Sequence, residues 1–366
     1  MDKLVIEKGF FRIICRKDEI ERIFNVENAS DYLLKLRAET IVDHMRLLRV
    51  YRNKALAKGD DWSLEQSFDA THFRTYLDQV TDPIKQKCGQ VVFGNMFSND
   101  PNGTILASDH GPVITISESL LFFLKFAHLA LLHFKSNVPF HVRMNALRIA
   151  VRVMLQTEAM DFYMDPRGII PKDVAEAIHA PIPRQLEFIA GHEFAHYVLD
   201  HITPNTILDK PIFHAISTRG GDYRLVPTYS KSQQQELDAD TRAILLAEKN
   251  PHYKIELLDA AVLWFGCLEL YETIADVMYP SNPWKPSSHP SARERIDNLL
   301  TKIRRPTGYS KHRWKPLLKS IDTLKPILIA DVSTNIEAYE TYGSLYLDEP
   351  NSEWRGRELV DREDYY

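Results

Sequence analysis

The run His192-Glu-Phe-Ala-His196 constrains this chain more than any other stretch of its 366 residues. It lies within Arg184–His201, which no Pro interrupts, and Leu186, Ile189, Ala190, Phe194, Tyr197 and Val198 recur there at helical spacing. As a helix, the run sets His192 and His196 one turn apart on one face, where two imidazoles can hold one metal ion. Glu193 is rotated off that face. It is close enough to act as base on a water at the metal and badly placed to ligate. H-E-x-x-H therefore reads as two ligands and a general base. The competing reading, two satisfied core histidines on an amphipathic helix, accounts for the motif alone but not for a second motif about forty residues downstream.

Hydrolytic zinc needs three protein ligands and an open position. The downstream stretch, Gln233–Ala247, is strongly helical in composition and carries Glu236 and Asp240 at i and i+4. Glu236 can close the coordination. Asp240 can accept the free N–H of a ligand imidazole, which fixes its tautomer and raises its basicity. A solvated acidic first turn explains Glu236 well. It explains Asp240 less well, because Asp240 leads into the apolar run Ile244-Leu-Leu-Ala.

Composition is that of a globular protein, with a formal net charge of -5 that does not suggest a nucleic-acid partner. Cys15, Cys88 and Cys267 are far apart and form no CxxC, which fits buried thiols in a reducing compartment and a cytoplasmic location. The first residues show no secretory pattern. Leu120–Phe134 is the most apolar run, but it is shorter than the roughly 20 residues of a membrane span and contains Lys125, His128 and His133. It reads as a buried helix, and no integral membrane segment is expected.

The patterning predicts a short hairpin over residues 3–16 around Gly9, one helix over 31–57, and a strand at Val113–Ser117. Further helices are expected over Arg143–Met160, Asp173–Ala180 and Ile255–Met278. The connection Thr203–Lys231 is rich in Pro and Gly and reads as an irregular lid or cleft wall. It carries His214, Tyr223 and Tyr229, the tyrosines being candidates to stabilise an oxyanion. His201 reads as a supporting residue rather than a ligand. Residues beyond 300 form a basic stretch and then, over the last thirty residues, an acidic, Tyr-rich tail, for which mobility is the default and folding onto the basic stretch or over the cleft the sharper alternative.

Gly191–His201 followed by Gln235–Asp240 resembles the gluzincin metallopeptidases of the CAAX prenyl protease and HtpX group. Ser288-His-Pro-Ser-Ala-Arg-Glu-Arg-Ile296 is similar to another stretch of that group, and Gly111–Leu121 more weakly to the strand that precedes its HExxH. The chain lacks the group's membrane spans and has a long insertion between strand and HExxH, so it resembles a soluble, divergent member. It is also similar to the phage-exclusion protease Lit group. The resemblance implies an α+β, mostly helical fold, with a zincin-like core built on the HExxH helix and a small sheet. It implies one Zn2+ per chain on His192, His196 and Glu236, with Glu193 as base. It implies His289 near the metal, as displaceable ligand or oxyanion donor, and Arg295 as an anchor. It also implies an edge strand, Val113, Ile114, Thr115 and Ile116, that pairs with extended substrate; an ordinary core strand is the competing reading of the same residues. On this reading residues 1–110 are an N-terminal region, part of the sheet or a docking module. Residues 111–300 are the peptidase core, and 301–366 a C-terminal basic segment and acidic tail.

The expected function is zinc-dependent endopeptidase cleavage of a protein or peptide. One rival is a narrow proteolytic switch acting on a single cytosolic target in stress or phage defence. Another is a binding module on a protease-like fold, against which the intact Glu193 argues.

Overall fold

The computed structural model describes residues 9–98, 102–203, 207–211, 225–279, 290–304, 310 and 312–356. Most of these are helical. The described part of the expected hairpin is not strand: residues 9–11 are helical and continue into a turn in which Cys15 N donates to Phe11 O at 2.8 Å. Phe11 and Ile14 are buried there, so the apolar pattern marks one side of a helical turn rather than a pleat.

Lys17–Phe24 forms α1. The expected helix over 31–57 is two, α2 (Ala29–Val42) and α3 (Met45–Lys58). The break falls at Asp43-His44, because the buried His44 ring leaves the helical register and accepts from Leu47 N to cap α3. Then come α4 (Thr71–Gln79), α5 (Asp82–Cys88), and the strands β1 (Val92–Met96), β2 (Gly103–Leu106) and β3 (Val113–Ser117). Next are α6 (Ser119–Leu131), α7 (Phe140–Leu155), α8 (Lys172–His179) and α9 (Ile182–Val198). α6 is the apolar run of the sequence, fully packed, and no described helix is long and apolar enough to cross a membrane.

The connection after α9 contains regular structure. Strands β4 (Ile207–Pro211) and β5 (Leu225–Tyr229) pair antiparallel within it. They complete a mixed five-stranded sheet of order β1-β3-β2-β5-β4. β3 runs parallel to β1 and antiparallel to β2, in full register on both sides. All five of its residues are buried. β3 is therefore an interior strand. Its backbone groups are engaged within the sheet, so Val113, Ile114, Thr115 and Ile116 cannot pair with substrate as an edge strand would, which corrects that expectation. β1 and β2, which precede residue 111, belong to the same sheet as β3.

After the sheet come α10 (Gln233–Leu245), α11 (Pro251–Met278), α12 (Ala292–Lys302), α13 (Lys315–Thr334) and α14 (Ile336–Glu340). One apolar cluster runs from Phe11 to Trp354. The expectation of a mobile tail fails as far as residue 356. Leu347 and Trp354 are buried, Gly343 forms a bridge with Glu158, and Leu347 N donates to Arg167 O at 3.0 Å. The acidic residues beyond 356 lie outside the described ones.

Candidate metal centre

α9 begins behind Pro181 with Pro183 in its first turn, where a missing N–H costs nothing, and it is buried along most of its length. It lies under β2 and β3 and against α4, α10 and α11. Gly191 permits the closest of these approaches: a Cβ there would stand 2.3 Å from Cε2 of Tyr76 on α4. Tyr76 in turn stacks on Phe194, and its hydroxyl donates to Ala243 O of α10 at 2.7 Å. One aromatic residue thus locks the two helices that carry the candidate ligands. α10 is started by a capping box in which Ser232 accepts from Gln235 N and Gln235 reaches back to Ser232 N. That fixes the azimuth at which Glu236 and Asp240 face α9.

The result is a convergence of three side chains. His192 Nε2 and His196 Nε2 are 3.0 Å apart. Glu236 Oε2 is 3.4 Å from His192 Nε2, and Glu236 Oε1 is 3.4 Å from His196 Nε2. Among the described residues these three form a group able to hold a metal ion, and all three are buried. The geometry suits zinc. Ligand atoms about 2.0–2.1 Å from a tetrahedral ion stand roughly 3.3 Å from one another. The donor set, two imidazoles and a carboxylate, is also one zinc accepts.

The surrounding residues prepare the ligands. His192 Nδ1 lies 2.8 Å from Asp240 Oδ1, which holds a proton on Nδ1 and leaves Nε2 as the nitrogen turned toward His196 and Glu236. Arg295, from α12, holds Asp240 through both oxygens at 2.7 and 2.6 Å and packs over Phe265. His196 Nδ1 lies 2.9 Å from His201 Nδ1. Burial opposes charge on His192, but Asp240 and Glu236 outweigh it and raise its pKa to about 9. Burial holds His196 well below the ordinary histidine value, with Lys231 acting in the same direction. A metal entering this site therefore displaces a proton from His192, and its binding weakens as pH falls.

Glu193 is 2% exposed in its side chain and points off the ligand face. Its Oε1 is 3.9 Å from His192 Nε2, while Oε2 accepts from Lys231 Nζ at 2.7 Å. β2 passes so close that a Cβ on Gly103 would stand 2.8 Å from Glu193 Cγ.

The structure thus brings together His192, Glu193, His196, Glu236, Asp240 and Arg295, and sets His201 behind His196. His289, His214 and Tyr223 lie outside the described residues. Tyr229 ends β5, two residues before Lys231. Lys231 and Gly103 are the neighbours of the site that the sequence did not reveal. Lys231 belongs to no motif, and its one signal is adjacency to the capping Ser232. Gly103 reads as the end of a turn.

Residues 183–314, which contain all six of the assembled side chains, match the model of the Peptidase U49 family. Over that stretch the chain is similar to a protease family. No curated protein and no solved structure matches it.

Proposed function

We propose that this protein is a zinc-dependent endopeptidase of gluzincin type. The observation that carries the reading is the convergence of His192 Nε2, His196 Nε2 and a Glu236 carboxylate oxygen at 3.0–3.4 Å, with Glu193 beside them. The family match supplies the protease half of the reading independently.

Zinc, when bound, supplies the Lewis acidity that makes water nucleophilic near neutral pH and polarises a scissile carbonyl. The chain's own residues do the rest. His192, His196 and Glu236 fix the donor set, and Asp240 and His201 orient the imidazoles. Glu193 Oε1 takes a proton from the attacking water as its oxygen bonds to the carbonyl carbon. Glu193 then delivers that proton to the amine nitrogen as the C–N bond breaks. His289, by its resemblance, is the candidate donor to the oxyanion. Extended substrate runs along β2, not β3. Among the described residues β5 pairs with β2 only at Leu106, with Ala107 N donating to Pro227 O at 2.8 Å, so the β5-facing side of Gly103–Ile105 is the strand edge beside Glu193.

The test is cleavage of a library of unstructured peptides, read by mass spectrometry. The wild type should cut, lose activity to a chelator and recover it with zinc. Glu193→Gln should bind zinc and cut nothing. Zinc-bound wild type that cleaves neither peptides nor folded proteins contradicts the reading. Cleavage confined to one folded protein favours the narrow switch.

A further inference from the structure

One charged group beside the reacting atoms has no part in the hydrolysis as described. Lys231 is nearly buried, with its side chain 8% exposed, and its ammonium is directed at Glu193 Oε2 at 2.7 Å. Its backbone lies between the end of β5 and the capping box that starts α10, so both ends of this short segment are anchored. A buried lysine without a partner is strongly disfavoured, and so is a buried carboxylate. Each of these two accounts for the other's charge.

The contact also fixes an orientation. A carboxylate on a free χ3 rotates, presenting either oxygen to the ligand atoms or neither. With Oε2 held by Lys231, Oε1 is the oxygen left on the side of His192 Nε2, 3.9 Å away. From the other side β2 closes in: a Cβ at position 103 would meet Glu193 Cγ at 2.8 Å and Oε1 at 2.9 Å. The carboxylate is thus gripped between an ammonium and a glycine backbone. The charge count points the same way. Asp240 and Arg295 neutralise each other, and Lys231 does the same for Glu193.

We propose that Lys231 is a positioning residue for the base, holding Glu193 Oε2 so that Oε1 faces the attacking water. The role rests on the endopeptidase reading; the ion pair that performs it does not. Misplacing a catalytic group by about 1 Å lowers rates roughly a hundredfold. Lys231→Met, which keeps length and apolar bulk but loses the charge, should lower kcat by about that factor and leave KM within about twofold. Lys231→Arg should recover much of the loss.

The experiment has two arms. In the first, kcat and KM are measured for wild type, Lys231→Met and Lys231→Arg with zinc supplied. In the second, urea unfolding of the metal-free protein follows a double-mutant cycle with Glu193→Gln. Lys231→Met should lower stability when Glu193 is present and change it far less in the Glu193→Gln background. Wild-type kcat in Lys231→Met overturns the proposal, as does a kcat loss that Lys231→Arg does not relieve. Additive effects in the cycle overturn it whether or not the protein cleaves anything. A wild type that binds zinc and cleaves nothing defeats the endopeptidase reading instead, and the cycle then decides the pairing by itself.

Discussion

Among the described residues, two of the buried clusters of ionisable side chains follow opposite rules. Around Glu158 every charge meets its complement. Arg152 Nε and Arg167 Nε donate to its two oxygens at 2.7 Å, and Leu345 N adds another donor. The remaining guanidinium donors reach Thr157 O, Gly343 O, Asp161 and Asp165. Arg167 and Glu158 are both fully buried, yet nothing there is left to bind a ligand. Around His192 the pattern is reversed. Two imidazole nitrogens and the Glu236 carboxylate face a common point. The first cluster ties residues 343–347 to the core and is complete without anything else. The second is a group of donor atoms close enough together to hold a metal ion. Burial of charge does not distinguish a site from a staple; the sign of what faces what does.

The comparison breaks most visibly if the Glu158 cluster tolerates loss of its centre. Glu158→Ala removes the carboxylate shared by two buried guanidinium groups, leaving Arg152 without its anion, and should lower unfolding free energy by about 3–5 kcal/mol, measured by denaturant titration. Zinc should act on the other cluster alone. At a hundredfold excess over its dissociation constant it should stabilise the wild type by about 2.7 kcal/mol. Glu158→Ala, where still folded, should show the same increment, and Glu236→Ala almost none. A smaller effect tests how the site is held. Gly191→Ala drives a methyl into Tyr76 and should cost about 1–3 kcal/mol by overpacking, with zinc affinity reduced as α9 shifts against α10.

The least of these effects concerns histidines in neither cluster. Burial depresses His44, His72 and His128 to about 4. Their folded pKa values lie below the unfolded value near 6.5, so the stability they contribute is whole above that pH. It is lost as pH falls from there toward 4, at about 1.4 kcal/mol per pH unit for each. Unfolding of the metal-free protein between pH 7.5 and 5 checks this. His128→Gln should flatten the profile by about that slope, and an unchanged profile would contradict it.

What the sequence disclosed of all this depended on how local the cause was. The H-E-x-x-H spacing and the Glu236–Asp240 spacing are helix geometry, so these site residues were legible from periodicity alone. Arg295 came through resemblance. Lys231 and Gly103 were illegible because their roles depend on how β2, β5 and the start of α10 come together, contacts that no spacing encodes. The same limit left Val113–Ser117 open between an edge strand and a core strand. Its β-branched alternation marks a strand correctly, but whether a strand is interior or edge is decided by its neighbours, and β1 and β2 take both its sides. The helix over 31–57 was divided by a single capping ring at His44. Mobility is the default for an acidic tail over the last thirty residues, whereas Arg152 and Arg167 bind its residues 343 and 347 through backbone groups that every sequence has.

The most direct test of the central claim is metal content and zinc titration of purified wild type, Glu193→Gln and Glu236→Ala. A single zinc ion per chain in wild type and Glu193→Gln, with affinity sharply reduced in Glu236→Ala, is the predicted result. No stoichiometric zinc in the wild type, or full affinity retained in Glu236→Ala, would contradict the site as described.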